Sequence, residues 1–423
     1  MKTFLRRLVA QQLERRVQLL IAKNSLKIVA VTGSVGKTST KLAVANVLGQ
    51  KYRVLAHPGN YNSELGLPLS IFELEVPGSL TNPIEWFGVL SKIDNKLKKP
   101  YPYDVLVLEM GADNPGDIQK FMRYIRPDIG IVTAIAPAHM EQFGSIDAVA
   151  TEKMSLARGS EVVFLNAEDA RVMKEAKGLG KPVQTYGVRT GNIHFEEISR
   201  GKDLLLQGRL QLIEDEVTVK TQFVGEHSLS SLAIAGAVGE ELNLNAREIK
   251  RGVEAFAPVS GRMQLLKGLE GSLIIDDTYN SSPRATTAAL EELIKLPGRK
   301  IAILGTMNEM GALAEKEHRN VGHAAARVDV LVTIGELAKT YLAAGAVESG
   351  VNPEAVHSFE SPYAAGEYVK SILRSGDVVL AKGSQNGVFA EEAVAILLAN
   401  TADRKKLVRQ SETWERKKRK QFS

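Results

Sequence analysis

Near the start of the chain lies the stretch Ile28-Val29-Ala30-Val31-Thr32-Gly33-Ser34-Val35-Gly36-Lys37-Thr38-Ser39. Its apolar beginning predicts a buried strand, and the following segment Leu42–Leu48 has the pattern of a helix. Between them, glycines let the backbone approach an anion, and the amides of the helix N-terminus point towards it. Lys37 adds a positive charge, and the Thr38 hydroxyl can hold a metal. We therefore predict a phosphate-binding loop for a nucleoside triphosphate with magnesium, formed by Gly33, Ser34, Val35, Gly36, Lys37, Thr38 and Ser39.

The loop departs from the long form of the motif, G-x-x-x-x-G-K-[ST], because Val31 stands where that form has its first glycine. The alternative interpretation is a chance Gly-Lys-Thr in a flexible loop. The strand before it and the helix after it argue against that alternative. Since the loop begins at residue 33, we expect no complete domain before it and the rest of the binding site downstream.

The composition is that of an ordinary globular protein. Of the 423 residues, 44% are hydrophobic and 24% are charged, and the length suffices for two or three domains with sizeable cores. The absence of cysteine excludes disulfides, thiolate zinc sites and cysteine nucleophiles. It is compatible with a reducing compartment, and we expect a cytoplasmic protein.

The formal net charge of +5 is concentrated at the ends of the chain. Residues 1–27 carry seven Lys or Arg against one acidic residue, and residues 403–423 carry nine against three. Each end is therefore +6, and the body between them is −7. A nucleic-acid groove needs basic residues on the surface of the body, so we expect no nucleic-acid partner. The run Arg416–Lys420 is expected to be solvated.

The segment before the loop has the pattern of a basic amphipathic helix, with apolar residues near helical spacing and arginine pairs between Phe4 and Ile21. Its apolar run is too short for a signal peptide or a membrane span. One interpretation is a helix that makes peripheral contact with an anionic membrane or docks on a partner. The other, which we favour, is a helix packed against the body of the protein.

Apolar strand-like runs alternate with helical patterns through most of the chain, which is typical of a parallel sheet with helices on both faces. We predict an α/β protein with a P-loop central domain, whose doubly wound sheet is mostly parallel, and a Rossmann-like C-terminal α/β domain. Short alternating stretches in residues 182–224 predict antiparallel hairpins. The predicted segments are the N-terminal helix 1–26, the central domain 27–259, the C-terminal domain 260–402 and the basic tail 403–423.

Polar residues follow two further strands of the predicted first sheet. Glu109 ends the run Asp104–Leu108, and His139 follows the run Ile129–Ile135 after a short turn. A lone glutamate or histidine at a strand end is usually an ordinary surface residue. Because ligands of such sheets lie beyond the carboxyl ends of the strands, we expect both side chains to meet the loop there. Thr38, Glu109 and His139 are the predicted magnesium ligands, with contact to a phosphate as the alternative for His139.

Ordered blocks of sequence then carry a family resemblance. They are Thr32–Ser39, Gly59–Pro68, Glu109–Ala112, Ala138–Ser145, Ile275–Pro283 and Ile303–Gly311. Over roughly residues 27–400 the chain resembles the Mur ligases. The last two blocks are similar to the branch of that family that adds D-alanyl-D-alanine to a muramoyl tripeptide.

The resemblance implies ATP-dependent amide bond formation. A carboxylate attacks the γ-phosphate to give an acyl phosphate, and an amine then displaces the phosphate. Because carboxylate and triphosphate repel each other, a lysine and one or two magnesium ions must neutralise the oxygens. The residues that match the family's catalytic positions are Lys37, Glu109, His139 and Lys153. Lys153 falls where the family has a lysine carbamylated by CO2, whereas the sequence alone suggests an unmodified surface lysine.

In the second domain the resemblance implies further cofactor-binding residues, namely Arg262, Asp277, Tyr279 and Asn280. The arginine matches one that reaches the ATP phosphates, and the aspartate matches a carboxylate near the ribose or the hinge. The last two lie in a block that resembles dipeptide and nucleotide contacts. The resemblance implies two further candidates in this domain. The segment Lys382–Ser384 resembles an element that faces the active-site cleft. His318 either helps to close the site or lies on a helix surface.

The chain also departs from the family pattern. The unusual residues are Ser228 after His227, Ser281 and Ser282 in the dipeptide block, and Gln385 in place of arginine. They put in doubt how adenine and D-alanyl-D-alanine are recognised. Typical members begin with a domain that grips a uridine diphosphate, and here residues 1–27 stand in its place. The acceptor is therefore held otherwise, lacks that group, or is lipid-linked at a membrane.

We predict a Mur-type ligase that joins a muramoyl-peptide precursor to D-alanyl-D-alanine or a similar amine in peptidoglycan synthesis, with ATP and Mg²⁺. One alternative is a related ligase with another carboxylate, either a lipid-linked precursor or a folylpolyglutamate-type substrate. The other is a nucleotide-binding scaffold without turnover, and the intact Lys37 and Glu109 argue against it. We expect a monomer that binds small-molecule substrates.

Overall fold

The computed structural model describes residues 2–57, 59, 61–137 and 140–422, without the side chains of residues 2–4 and 141. The chain divides into two compact units. The first comprises residues 1–199, 207–221 and 229–256, and the second comprises residues 200–206, 222–228 and 257–423.

The first unit combines a six-stranded sheet and a three-stranded sheet with helices. Its helices are α1 (Lys2–Lys23), α2 (Lys37–Leu48), α3 (Gly66–Ile71), α4 (Pro83–Lys96), α5 (Asp117–Met122), α6 (Met140–Phe143), α7 (Ile146–Gly159), α8 (Ala170–Ala176), α9 (Leu229–Glu241) and α10 (Ala246–Ala255). The strands are β1 (Lys27–Thr32), β2 (Val54–Leu55), β3 (Val105–Glu109), β4 (Ile129–Val132), β5 (Val162–Asn166), β6 (Gln184–Tyr186), β7 (His194–Arg200), β8 (Leu206–Gln211) and β9 (Glu216–Lys220). Arg200 at the end of β7 and Leu206 at the start of β8 are counted with the second unit.

The six-stranded sheet has the order β2-β3-β1-β4-β5-β6, and its strands run parallel. Every residue of β1 after Lys27 is buried, as its apolar run predicts. In the register of the sheet, Ala30 pairs with Leu108 on β3 and with Gly130 on β4. Because these strands run in the same direction, their carboxyl ends meet at one edge. The sheet confirms the predicted α/β class.

The helix after the loop is held by close backbone packing. α2 packs against α9 and α10. A Cβ added to Gly252 on α10 would lie 2.7 Å from Val47 Cα, so only glycine lets the two helices approach this closely. The three-stranded sheet, in which β8 and β9 are antiparallel, confirms the hairpin predicted in residues 182–224.

The N-terminal helix packs against the body, which was the favoured alternative. Four apolar residues on one face of α1 are buried in the core that it shares with α3 and α4, namely Val9, Leu13, Val17 and Leu20. On the same side, Arg16 donates two hydrogen bonds to the Asp94 carboxylate, at 2.8 and 2.9 Å. This apolar face is therefore not available to a membrane. None of the helices described in the structure is long and apolar enough to cross a bilayer.

The second unit is a six-stranded sheet with helices around it. Its strands are β10 (Gln264–Lys267), β11 (Leu273–Asp277), β12 (Lys300–Gly305), β13 (Val330–Ile334), β14 (Val356–Phe359) and β15 (Val378–Lys382). Its helices are α11 (Pro283–Lys295), α12 (Ala314–Ala324), α13 (Ala343–Glu348), α14 (Pro362–Ile372), α15 (Glu391–Leu397) and α16 (Glu412–Phe422), with a π-helical turn at Ala338–Leu342 before α13. The order is β10-β11-β15-β12-β13-β14, and β10 runs antiparallel to β11 while the remaining pairs are parallel.

The basic run Arg416–Lys420 lies within α16, and four of its five side chains are exposed, as expected. Lys418 is the exception, because its side chain is buried. Its ammonium group lies 3.0 Å from the carboxylate of Glu391 and 2.6 Å from that of Glu392. The Trp414 ring on the same helix packs edge-on against Phe389, with ring centroids 6.1 Å apart. Two buried carboxylates and an aromatic contact thus pack α16 against the rest of the second unit, although its sequence is mostly charged.

Candidate active site

The predicted phosphate loop connects β1 to α2 and depends on two glycines. Gly33 has φ 144°, and a Cβ at this position would lie 2.0 Å from Thr133 Oγ1. Gly36, the residue before α2, has φ 85°. Both backbones lie in the left-handed region, which strongly favours glycine. The turn from strand to helix therefore needs glycine where the sequence has it.

The loop is anchored to the chain that follows β4. Ser34 donates from its backbone N to Ala134 O at 2.7 Å and from its hydroxyl to Ala136 O at 2.9 Å. The Thr133 hydroxyl donates to Val35 O at 2.6 Å. These bonds hold the loop at the N-terminus of α2, where backbone amides and the helix dipole favour an anion. The N-terminal residue of that helix is Lys37.

The structure brings Thr38 and Glu109 together. Glu109 is the last residue of β3, and it pairs with Val31 of β1 in the register of the sheet. The Thr38 hydroxyl donates to its Oε2 at 2.9 Å, and both side chains are buried. A hydroxyl and a carboxylate are oxygen ligands of the kind that Mg²⁺ prefers. The two side chains could therefore supply two oxygen ligands to such an ion.

The third predicted metal ligand, His139, lies outside the described residues. Within the part of the chain that the structure describes, no group of three or more His, Cys, Asp or Glu residues could hold a metal ion.

Two neighbours of Glu109 were missed by the sequence analysis. Lys41 is buried with its ammonium group 3.4 Å from Glu109 Oε2, and it donates to Gly59 O at 3.1 Å. Asn62 Nδ2 donates to Glu109 Oε1 at 3.4 Å. The signal for the lysine was its place three residues after Thr38, on the same face of α2. These contacts fix the orientation of the carboxylate.

Lys153 lies on α7 and is buried, so it is not the ordinary surface lysine that the sequence alone suggested. Burial lowers the pKa of its ammonium group to about 7, and the positive charge of Lys37 acts in the same direction. The neighbouring Glu152 accepts hydrogen bonds of 2.6 Å from the backbone N of both Gly116 and Ile118. That carboxylate is therefore engaged by the backbone at the start of α5.

In the second unit the predicted cofactor residues form one cluster. The Arg262 guanidinium lies 4.2 Å from the centroid of the Tyr279 ring. Lys382 donates to Asp277 Oδ2 at 2.5 Å and to Asn280 O at 3.0 Å. The end of β11 and the turn after it are thus tied to the end of β15, two parallel strands that are neighbours in the sheet.

Arg409 is a further residue at this cluster that the sequence analysis missed. Its guanidinium donates to Thr278 O at 2.6 Å and to Tyr279 O at 2.9 Å. It also donates to both carboxylate oxygens of Glu391, at 2.8 and 2.7 Å. No local motif surrounds this arginine, so only its place in the fold identifies it. The segment before α16 thereby fixes the turn that carries the predicted Tyr279 and Asn280 contacts.

His318 has a structural role in its own unit. It is fully buried, so the helix-surface alternative is wrong. Its Nε2 accepts from Met307 N at 2.9 Å, and Nδ1 lies 2.7 Å from Ala314 O. Burial lowers the pKa of the ring, which favours the neutral form with the proton on Nδ1. Both nitrogens are therefore used within α12 and the turn before it.

The chain matches known protein families over most of its length. The Mur ligase middle domain matches residues 31–239, and the Mur ligase, glutamate ligase domain matches residues 261–385. The curated UDP-N-acetylmuramoyl-tripeptide--D-alanyl-D-alanine ligase of Mycobacterium leprae is 31% identical over 411 residues, which cover 89% of this chain and 74% of that protein. The protein of the same name from Bacillus subtilis is 28% identical over 88% of this chain and 76% of its own length.

Solved structures agree with these matches. The MurF ligase of Thermotoga maritima, in complex with ADP, superposes with a TM-score of 0.75 and 25% identity, covering 93% of this chain and 83% of its own. A folylpolyglutamate synthase of Mycobacterium tuberculosis superposes with a TM-score of 0.66 at 16% identity, over 92% of this chain and 95% of its own. At that identity the second match shows a shared fold alone.

Proposed function

The chain belongs to the Mur ligase family, and we propose that it is an ATP-dependent ligase that adds D-alanyl-D-alanine to a muramoyl tripeptide in peptidoglycan synthesis. The main support for this proposal is the extent of the similarity to curated ligases of that name. Relatives of that name match 89% and 88% of this chain, so the similarity runs through both units and is not limited to a nucleotide-binding half.

The phosphate loop supports ATP as the phosphoryl donor. Its two positive-φ glycines and the N-terminus of α2 form a cradle for phosphate oxygens. Lys37 begins that helix and would neutralise the charge of the phosphates. The Thermotoga maritima relative was solved with ADP, which agrees with a nucleotide as the ligand of this loop.

We propose Mg²⁺ as the second cofactor. Thr38 and Glu109 would hold it, since their oxygens lie 2.9 Å apart at the end of the loop. His139 stays a proposed ligand. When bound, the ion would neutralise phosphate oxygens and so lower the repulsion of an approaching carboxylate. Lys41 and Asn62 hold Glu109 in place for this task.

The proposed reaction has two steps. The terminal carboxylate of the tripeptide attacks the γ-phosphate of ATP and gives an acyl phosphate and ADP. The amino group of the dipeptide then attacks the acyl carbon, the amide forms and inorganic phosphate leaves. Lys37 would stabilise the negative charge in the first step. In the second unit, Arg262, Asp277, Tyr279 and Asn280 are proposed to contact the nucleotide or the dipeptide, and their mutual contacts make them a preformed cluster.

The test is phosphate release by the purified protein with ATP, Mg²⁺, UDP-N-acetylmuramoyl tripeptide and D-alanyl-D-alanine, with the product identified by mass spectrometry. We expect phosphate release only when all four are present. Lys37→Ala should lower turnover by a factor of about 1,000, since it removes a positive charge aimed at the transferred phosphoryl group. Lys177→Ala, which replaces an exposed lysine on the same unit, should leave turnover unchanged.

Other outcomes would favour the alternatives. Turnover with a folate and glutamate, or only with a lipid-linked acceptor, would assign a different carboxylate substrate. A protein that binds ATP without releasing phosphate in any combination would be a scaffold. Either result would contradict the proposed reaction.

We further propose that the protein works as a monomer in the cytoplasm, where ATP and small peptide precursors are available. Sedimentation velocity over a range of protein concentrations tests the first part. A sedimentation coefficient that rises with concentration would contradict it.

A further inference from the structure

The exposed large hydrophobic residues of the described chain are concentrated in one region. Of the eight such residues, six lie on α1 or in residues 76–87, which lead into and begin α4. These six are Leu8, Leu19, Val76, Leu80, Ile84 and Phe87. α1 and α4 pack against each other, so the six belong to neighbouring elements of the first unit. The most exposed are Ile84 at 81% and Phe87 at 76%.

Ile84 and Phe87 lie at the start of α4, and local hydrogen bonds stabilise this part of the helix. The Asn82 side chain caps α4 by accepting from Ile84 N at 3.0 Å. Glu85 accepts from Ser79 N and from the Asn82 amide, at 3.1 and 2.9 Å. The two apolar residues are three positions apart, so they lie on the same face of the helix. The structure therefore places two large apolar side chains in solvent at the hydrogen-bonded start of α4.

Basic residues outnumber acidic ones on α1 and in residues 76–99, which include α4. α1 carries a net charge of +5 and residues 76–99 carry +2, although the whole chain is only +5. The acidic groups of α4 are engaged, since Asp94 pairs with Arg16 and Glu85 caps the turn. Several exposed basic residues make no ion pair with any residue that the structure describes, namely Arg7, Arg15, Lys92, Lys98 and Lys99. The region thus combines apolar side chains with unneutralised positive charge.

We propose that the exposed faces of α1 and α4 form a docking surface for an anionic lipid bilayer. We name it the α1/α4 surface, defined by Ile84 and Phe87 at the start of α4, the exposed basic residues of both helices, and Lys98 and Lys99 just after α4. The two apolar side chains would enter the interfacial layer, and the basic residues would contact lipid phosphates. Lysine is depleted at the cores of protein interfaces, so this combination fits a membrane better than a protein partner.

The α1/α4 surface differs from the membrane contact considered from the sequence. That interpretation used the apolar face of α1, which is buried against α3 and α4. The surface proposed here uses the opposite face of α1 and the exposed face of α4. It does not depend on the proposed ligase reaction, because neither Ile84 nor Phe87 belongs to the candidate active site.

The test is cosedimentation of the full chain with vesicles in the absence of substrates. We expect binding to vesicles of phosphatidylcholine with phosphatidylglycerol, weaker binding to phosphatidylcholine alone, and weaker binding at high salt. The double variant Ile84→Ser, Phe87→Ser should bind anionic vesicles about tenfold more weakly. The matched control is Ile213→Ser, Val347→Ser, which replaces two exposed hydrophobic residues elsewhere and should bind as the unaltered chain does.

The charge requirement has its own variant. Lys92→Gln, Lys98→Gln, Lys99→Gln should reduce both the binding and its salt dependence, whereas the same change at the exposed Lys177, Lys202 and Lys316 should not. Absence of binding to anionic vesicles, or binding that the Ile84 and Phe87 changes leave intact, overturns the proposal. Self-association of the chain that those changes abolish would assign the surface to a second copy and overturn it too.

Discussion

Burial lowers the pKa of the Lys153 ammonium group and so favours its reactive, neutral form. Its low pKa follows from desolvation first and from the charge of Lys37 second. A lysine with a pKa of about 7 is partly neutral near neutral pH, and the neutral amine is the form that reacts with CO2. Carbamylation would turn a buried cation beside another cation into an anion. The burial of Lys153 and its lowered pKa therefore agree with the modification that the family resemblance implies.

We predict that Lys153 is carbamylated in the active protein. After equilibration with carbon-13 bicarbonate, NMR should detect a carbamate carbonyl signal that Lys153→Ala removes and Lys177→Ala retains. Turnover should fall in bicarbonate-free buffer and recover when bicarbonate is added. Full turnover of Lys153→Ala, together with no effect of bicarbonate, would show that the lysine acts unmodified or not at all.

Asp276 makes a pH-dependent contribution to stability. It is fully buried, and burial raises the pKa of its carboxyl to about 6 from 3.8. Because the folded-state pKa is raised, stability from this group is present below the unfolded pKa and is lost as pH rises through about 6.

The variant Asp276→Asn should lack this pH dependence. We compare the free energy of unfolding of the unaltered chain with that of the variant at the same pH. The two pKa values predict that the difference in favour of the unaltered chain is about 3 kcal/mol larger in acid than at neutral pH. Denaturant titrations on both sides of the transition measure this difference. Asp215→Asn, at an exposed site, is the control, and an equal slope for the Asp276 variant and the unaltered chain would refute the prediction.

At the scale of elements, α16 and the segment before it hold the turn after β11. Arg409 links this segment to Glu391 on α15 and to the carbonyls of Thr278 and Tyr279. Lys418 adds a buried ammonium group to the same carboxylate. Loss of one partner in such a buried network leaves the other charges uncompensated.

Arg409→Gln should therefore lower the free energy of unfolding by about 3 kcal/mol. The turn after β11 also loses the two hydrogen bonds that Arg409 donates to Thr278 O and Tyr279 O. We therefore expect the KM for ATP or for the dipeptide to rise more than kcat falls. Denaturant titration and steady-state kinetics measure the two effects. Arg416→Gln, whose side chain is 77% exposed on α16, should change neither, and a normal KM for Arg409→Gln would contradict the positioning role.

The helices and strands differ in how far the sequence predicted them. The runs that became β1, β3, β4 and β5 were recognisable because strands buried on both faces are continuously apolar. α16 was not recognised as a packed element, because its sequence is mostly charged. Its partners, Glu391 and Glu392, lie more than twenty residues before Lys418 in the sequence, and no local pattern links them.

For the whole molecule, we propose that the central domain spans residues 27–259 and the C-terminal domain residues 260–402. The family matches to residues 31–239 and 261–385 support this proposal. Nucleotide binding should be coupled to the stability of the first unit, because the phosphate loop, Glu109 and Lys153 all belong to it.

We predict that ATP with Mg²⁺ stabilises the chain against heat. At a nucleotide concentration of about 100 times Kd, mass action adds about 2.7 kcal/mol to the free energy of unfolding of the unit that binds. Differential scanning fluorimetry should detect a rise in Tm that is smaller with EDTA. Lys37→Ala should abolish the rise and Lys177→Ala should retain it. An equal rise for Lys37→Ala would place the nucleotide away from the loop.

The amino-acid sequence by itself determined that β1 leads through a glycine turn into α2, that the chain is α/β, and that it resembles the Mur ligases. These properties depend on local spacing, on glycine at left-handed backbone positions and on ordered blocks of residues, all of which can be read along the chain. Only the tertiary structure decided that Lys41 is buried beside Glu109, that Arg409 holds the turn after β11, and that the apolar face of α1 is covered. These depend on burial and on contacts between residues far apart in sequence. The phosphate loop could be predicted from the sequence because its geometry depends on neighbouring residues. The groups that orient Glu109, namely Lys41 and Asn62, come from separate segments and could not be predicted in this way.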